Sequence, residues 1–279
     1  MCETCGCNIT SGNQHLVESG GKLSRTHSGN ETVTVLKGLL DENDRQAMHN
    51  REHFDRHGVL AVNLMSAPGS GKTALLEATI QALNSGLKIA VIEGDLETEN
   101  DAERIRRHGI EAIQISTGSA CHLDAHMVHD ALHRMDLANI DLVFIENVGN
   151  LVCPASFDLG QHRNVVLLSV PEGDDKPAKY PVMFRAADVV MLTKVDLLEV
   201  MPEFDPARAG DALRSLGKNV ALMRTSSRIS LGLDDWLRWL KKELSSQRRR
   251  VAQGETMVPD VQPQTAASHT HSHDHAQPK

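Results

Sequence analysis

The chain has 279 residues, 40 % of them hydrophobic and only 3 % aromatic, which allows one large or two modest domains around an aliphatic core. A formal net charge of −8 argues against nucleic acid or an anionic membrane as the main partner. No run approaches the roughly 18 apolar residues of a membrane span, and the opening lacks the apolar stretch of a signal peptide.

Cys2, Cys5 and Cys7 open the chain as C-x-x-C-x-C in MCETCGC. Half a zinc finger, half a disulfide framework, a redox pair and a complete metal site are all open at this point. Five cysteines in total make a poor disulfide scaffold and point to reduced thiols in a cytoplasmic protein. Residues 8 to 30 are rich in Gly, Ser, Thr and Asn and read as a flexible tether. Residues 36–57 have helical character without Pro, and Gly58 suits the stop. Aliphatic runs then alternate with helical segments. VLAVNLM precedes a Gly-rich turn and the helix TALLEATIQALNS; KIAVIE precedes ENDAERIRRHG; EAIQIS precedes a helix expected from Cys121 to Met135. DLVFIE, NVVLLSV, VVMLTK and VALMRTS follow, then a last helix LDDWLRWLKKELS. Strands apolar along their whole length, alternating with helices, predict an α/β fold with a mostly parallel sheet covered on both faces. After residue 245 the composition shifts to Arg, Gln, Pro, Thr and Ser and ends in SHTHSHDHAQPK, a disordered tail. The expected division is an arm and tether over 1–35, a nucleotide-binding domain with its leading helix over 36–245, and the tail over 246–279.

SAPGSGKT, residues 66–73, lies between a strand and a helix, as a P-loop requires. Gly69, Ser70, Gly71, Lys72, Thr73 and Ala74 are the expected phosphate contacts. The glycines turn backbone N–H groups inward, Lys72 reaches the β/γ oxygens, and the Thr73 hydroxyl faces Mg²⁺. Ser66 stands where the motif usually has its first Gly. LTKVDLL supplies the base-reading step at a strand end. A carboxylate at Asp196 accepts both the ring N–H and the exocyclic amine of guanine, a pair adenine lacks, and the Lys194 stem lies along the base. Thr193 replaces the usual Asn. Ser226 in TSSRISLG is a further base contact. GTP is therefore expected over ATP, which disfavours a P-loop ATPase or small-molecule kinase. Asp95 in EGDLETEND is expected to hold Mg²⁺ through water. Glu146 and Gly149 in IENVGN stand where GTPases place D-x-x-G, with Gly149 sensing the γ-phosphate. No Gln stands in an evident water-orienting position, so hydrolysis is expected to be slow, driven mostly by Mg²⁺ and Lys72.

A second set of residues consists of soft ligands. On the expected helix, His122, His126, His129 and His133 share one face at +4, +3, +4 spacing; His129 and His133 read as solvated. Cys121, His122 and His126, joined by Cys153 just after IENVGN, suit Zn²⁺ or Ni²⁺. So few ligands from one chain suggest a site completed across a symmetric dimer. Its nearness to the γ-phosphate sensor suggests that nucleotide state changes metal affinity and subunit pairing.

With MCETCGC, NLMSAPGSGKTALL, IEGDLETENDAERI, CHLDAHMV, ENVGNLVCPASFDLG, LTKVDLL and DDWLRWL in this order, the chain resembles the hydrogenase nickel-incorporation GTPases, the HypB family. The resemblance spans the N-terminus and most of residues 36–244. It implies a cytosolic SIMIBI-type GTPase that dimerises with GTP, works with a HypA-type nickel chaperone, and delivers nickel to the large subunit of a [NiFe]-hydrogenase. It maps an interfacial metal site onto Cys121, His122 and Cys153, with His126 as a further ligand, and a high-affinity nickel site onto Cys2, Cys5 and Cys7. The urease nickel GTPases are the neighbouring alternative, but carry C-P-H in place of Cys121-His122 and lack the CETCGC start. Nickel storage or sensing with GTP-controlled dimerisation is a second alternative. Many relatives carry a His-rich stretch after the first cysteines; here it has only His15 and His27, while His269, His271, His273 and His275 lie in the tail. For Cys2, Cys5 and Cys7, no second cysteine pair follows at zinc-finger spacing, and no strand leads in as a redox helix needs. Three thiolates with the α-amine as a fourth donor would make a square-planar site suited to Ni²⁺.

Overall fold

Each of the seven aliphatic runs forms a strand: β1 (Leu60–Ser66), β2 (Ile89–Asp95), β3 (Glu111–Ser116), β4 (Leu142–Glu146), β5 (Arg163–Ser169), β6 (Val189–Thr193) and β7 (Ala221–Arg224). The computed structural model describes residues 30–83, 86–95, 100–118, 120–217 and 220–260. Cys2, Cys5, Cys7 and the tail histidines lie outside them. The strands make one sheet in the order β3-β2-β4-β1-β5-β6-β7, parallel at every pairing. β1 lies between β4 and β5, so the chain reverses direction across the sheet beside it. That is where a doubly wound sheet opens a crevice for ligand.

The helices are α1 (Asn30–Arg56), α2 (Lys72–Leu83), α3 (Asn100–Arg106), α4 (Ala125–Leu132), α5 (Lys176–Lys179), α6 (Pro181–Ala186), α7 (Pro206–Ser215) and α8 (Leu233–Val251). β1 shows how they cover the sheet, because alternate side chains leave a strand on opposite faces. Leu60, Val62 and Leu64 pack with Leu75, Leu76 and Ile80 of α2 and Trp236 and Leu240 of α8. Ala61 faces the other way, into a cluster with Phe54 of α1 and Val128 of α4. Trp236 is fully buried, and its indole N–H donates to Thr79 Oγ1 at 2.9 Å, which satisfies the one polar atom of that side chain.

α1 begins at Asn30, not Leu36, so the leading helix crosses the expected boundary between residues 35 and 36. It is bolted down by polar groups. Arg51 Nη2 donates to both oxygens of Asp158 at 2.7 Å. Asn43 Nδ2 donates to Asp158 O, and Asn43 Oδ1 accepts from Ala125 N. Asn50 Nδ2 reaches Ala125 O at 2.7 Å and Leu159 O at 3.1 Å.

The end of the domain also differs from expectation. α8 runs to Val251, and the chain folds back so that Met257 is buried; the disordered tail does not start at residue 246. Gln247 is sealed inside, receiving Met257 N on Oε1 at 3.0 Å and donating to Thr256 Oγ1 at 3.0 Å. The Arg-rich run hid this anchor, because its charged residues sit on the exposed face of an amphipathic helix. Among the described residues, no helix is long and apolar enough to cross a membrane.

Candidate functional site

The phosphate loop joins β1 to α2. Gly69 (φ +75°) and Gly71 (φ +96°) occupy the left-handed region, and a Cβ on either would meet nothing within 4 Å. Glycine is needed there for conformation, and the space before the loop is open for phosphate oxygens. Lys72 starts α2, with Nζ donating to Ser66 Oγ at 3.2 Å and lying 3.9 Å from Glu146 Oε1. Ser66 thus supports the lysine where the motif usually has glycine. Ser70 donates to Glu172 Oε2 at 2.7 Å, and Ala74 lies in the first turn of α2.

Thr73 Oγ1 donates to Glu146 Oε1 at 2.9 Å, at the end of β4. The carboxylates of Glu93, Asp101 and Glu146 gather here, one oxygen of each within 4.8 Å of the others. Burial, followed by the Glu146 charge, pushes the Glu93 pKa up to about 11. Burial raises that of Glu146 as well, against the pull of Lys72. Glu93 Oε2 and Glu146 Oε2 are buried and without a hydrogen-bond partner. Two buried acids with orphaned oxygens beside the loop threonine fit a hard divalent cation such as Mg²⁺. The expected Asp95 is not in that group of three; it lies two residues beyond Glu93, on the same face of β2 and nearer the strand end. Glu93 was readable as the carboxylate that closes the apolar run IAVI. Gly149 is held against the loop: a Cβ there would come within 2.9 Å of Pro68 Cα and 3.0 Å of Pro68 N.

The two loops expected to read the base lie side by side. Ser226 Oγ donates to Asp196 Oδ1 at 2.6 Å, and the exposed Arg228 guanidinium approaches the other Asp196 oxygen at 3.9 Å, a neighbour that spacing alone did not reveal. Thr193, in the position usually held by Asn, donates from Oγ1 to Ser70 O at 2.7 Å. Lys194 adopts the left-handed conformation (φ 56°, ψ 36°) and donates from Nζ to Gly69 O at 2.7 Å.

Cys121, His122 and Cys153 form a second cluster, each offering one ligand atom within 4.8 Å of the others. The two Sγ atoms lie 3.1 Å apart, and His122 Nδ1 is 3.7 Å from Cys121 Sγ. His122 is fully buried, stacked on Phe157 at 4.0 Å between ring centroids. Burial lowers its pKa to about 4, so the imidazole is neutral and ready to ligate. His122 Nε2 is sealed without a partner. Two sulfurs and a neutral imidazole suit Ni²⁺ or Zn²⁺.

The expected helix over residues 121–135 is corrected. α4 starts only at Ala125, because Asp124 caps it by accepting Met127 N at 2.8 Å. His122 therefore lies before the helix, not one turn from His126. His126 is outside the Cys121 group among the described residues; its Nε2 is buried without a partner.

Asn147, one residue past Glu146, joins the two sites. Its Oδ1 accepts Leu123 N at 3.2 Å and Val148 N at 3.0 Å, and its Nδ2 donates to Asn63 Oδ1 at 3.4 Å. The backbone after Cys121-His122 is thus held by the segment that carries Gly149. At the same junction, a Cβ on Gly94 would meet Leu123 Cγ at 2.7 Å, so β2 and the cysteine loop are in close contact. Sequence reasoning missed Asn147 because an amide in a strand-end turn has no motif of its own.

The family model described as CobW/HypB/UreG, nucleotide-binding domain, matches residues 60–214. The hydrogenase maturation factor HypB of Azotobacter vinelandii is 46 % identical over 222 residues, 80 % of this chain and 73 % of that protein. The crystal structure of HypB from Helicobacter pylori in complex with nickel superposes with a TM-score of 0.71 at 41 % identity, covering 74 % of this chain and 96 % of that one. HypB from Archaeoglobus fulgidus gives a TM-score of 0.69 at 41 % identity, covering 74 % and 100 %. Likeness in sequence and fold therefore agrees with the loop and ligand geometry, and the chain belongs to the CobW/HypB/UreG family, within its HypB hydrogenase maturation branch.

Proposed function

We propose that this chain is a GTP-hydrolysing nickel metallochaperone that supplies nickel to the large subunit of a [NiFe]-hydrogenase. The observation that carries the reading is the Asn147 link between a phosphate-sensing segment and a thiolate–imidazole cluster.

Backbone N–H groups of the phosphate loop and the Lys72 ammonium bind the phosphates of GTP. Asp196 and Lys194 select and stack the guanine, and Ser226 holds the Asp196 carboxylate in place. Thr73, Glu146 and Glu93, with Asp95 through water, would hold Mg²⁺, which supplies charge neutralisation on the phosphate oxygens. Water attacks the γ-phosphorus and GDP leaves with the bridging oxygen, whose developing charge Lys72 stabilises. IENVGN carries no Gln to orient the water, so slow turnover is expected. Gly149 N–H reports the γ-phosphate, and loss of that contact moves Asn147 and with it the Cys121 loop.

Nickel is the cargo. Cys121, His122 and Cys153 hold it, with Zn²⁺ as an alternative occupant, and a second protomer completes the coordination in a GTP-dependent homodimer. Cys2, Cys5 and Cys7 form a separate nickel site on the arm, and a HypA-type chaperone is the working partner. The test is nickel transfer to apo-hydrogenase large subunit with GTP and with a non-hydrolysable analogue. Faster transfer with GTP is expected; equal transfer moves the chain to the storage or sensing reading. Metal-dependent dimerisation with GTP should disappear in Cys121→Ala.

A further inference from the structure

Four histidines that neither site uses meet where α1 packs on α4. His49 and His53 lie one turn apart on α1, and His129 and His133 one turn apart on α4 and its C-cap. Ring centroids are 4.6 Å apart for His49–His53, 5.0 Å for His49–His129 and 4.4 Å for His129–His133. One ring nitrogen from each of His49, His53 and His129 lies within 4.8 Å of the others, and His133 Nε2 is 2.9 Å from His129 Nε2.

Imidazoles often line a helix seam merely as packing. Two features separate this seam from that case. First, His53 Nε2 is buried and has no hydrogen-bond partner, a loss that packing alone does not repay. Second, the tautomer of His129 is fixed. Asn50 commits its amide nitrogen to Ala125 O and Leu159 O, so its Oδ1 must face His129 Nδ1, 3.0 Å away. Nδ1 therefore carries the proton, and the Nε2 lone pair points into the cluster. An oxygen accepting from the far ring nitrogen is what orients a ligating imidazole.

We infer that His49, His53, His129 and His133 form a binding site for one borderline divalent ion, Ni²⁺ or Zn²⁺, which clamps α1 to α4. Imidazole nitrogens suit both metals. Bonds of 2.0–2.1 Å in a tetrahedral site separate ligand nitrogens by roughly 3.3 Å, so the 2.9 Å His129–His133 pair needs only a small opening. In chain order, α1 follows the Cys2–Cys7 arm and α4 follows Cys121-His122. The site offers no sulfur ligand. The inference does not depend on GTP hydrolysis or on nickel delivery.

The test uses the full chain carrying His269→Ala, His271→Ala, His273→Ala and His275→Ala, so that tail imidazoles do not contribute. Equilibrium dialysis against Ni²⁺ alone and Zn²⁺ alone counts bound equivalents, and Co²⁺ serves as a spectroscopic probe. His49→Ala and His133→Ala change exposed side chains and leave the fold intact. Each should remove one bound equivalent and the metal-dependent rise in melting temperature, and leave the thiolate-to-cobalt charge-transfer band unchanged. His57→Ala, also exposed, should change nothing. The metal that fills the lost equivalent identifies the occupant. Unchanged stoichiometry in both variants, or a parent in which every bound equivalent shows sulfur ligation, overturns the inference.

Discussion

Asn147→Ala should cost far more than its one small side chain suggests. The substitution removes the acceptor of Leu123 N and Val148 N, whose residues are 0 % and 6 % exposed. Each buried N–H left unpaired costs about 1–3 kcal/mol, so we expect about 3 kcal/mol in total once local relaxation is included. Asn150→Ala is the control. Asn150 also touches the cysteine loop, donating to Cys121 O at 3.3 Å and accepting Val152 N at 2.8 Å. It sits at the partly exposed rim, where water replaces the lost bonds, and its loss should cost about 1 kcal/mol or less. Urea unfolding of the metal-free, nucleotide-free protein measures both, provided the m-value holds constant. Equal costs, or an Asn147→Ala effect under about 0.5 kcal/mol, would refute the picture of Asn147 as the buried link. If the link also transmits nucleotide state, the ratio of Ni²⁺ affinities with GTP and GDP should fall toward one in Asn147→Ala.

Three further outcomes are expected. Asp196→Ala removes two charge-assisted bonds to guanine, about 3–6 kcal/mol or roughly 10²–10⁴-fold in GTP affinity, while ATP binding stays as weak as before; competition against a fluorescent guanine nucleotide reads this, and unchanged GTP affinity contradicts the base assignment. In the metal-free protein Glu93 keeps a proton, its pKa held at about 11, that the unfolded chain releases above the ordinary value of 4.5. Its contribution to stability is therefore fully present below 4.5 and is lost as pH rises toward 11, so Glu93→Gln should flatten the fall in stability between about pH 5 and pH 9; parallel pH profiles would rule this out. Ending the chain at Ser245 strips away buried Gln247 and Met257 and should lower unfolding stability by about 2–5 kcal/mol relative to a chain ending at Asp260; identical melting would restore the shorter domain boundary.

The strands were legible because a fully buried parallel strand has one requirement, apolar side chains on both faces, and β1 meets it at every position but Asn63 and Ser66. Residue types at fixed spacing marked SAPGSGKT and LTKVD, and both motifs fall at strand ends, at Ser66 and Thr193. α4 was not, since Asp124 caps a helix inside what reads as one continuous helical run. α7 carried a readable signal in Asp205-Pro206: Asp205 accepts Ala207 N and Pro206 fills the first turn. Asn147 and the α1 histidines depend on which elements touch, and one sequence does not contain that information. Glu93 lies between these cases. Its burial was visible in the run around it, but its partner Glu146 lies on a strand more than fifty residues away.

The bonds from Thr193 Oγ1 to Ser70 O and from Lys194 Nζ to Gly69 O make the two ends of the nucleotide pocket one stiff part. Lys194 holds an unfavourable left-handed backbone to make its bond, a strain of roughly 1–2 kcal/mol. A part so braced fixes the distance between base and phosphate before any ligand arrives. Guanosine and pyrophosphate offered as separate pieces each bear the full entropy loss of binding, whereas the joined molecule bears it once. On the proposed reading of this pocket as a GTP site, the loop braces act as a ruler, one that rewards a nucleotide of the correct length as well as the correct base.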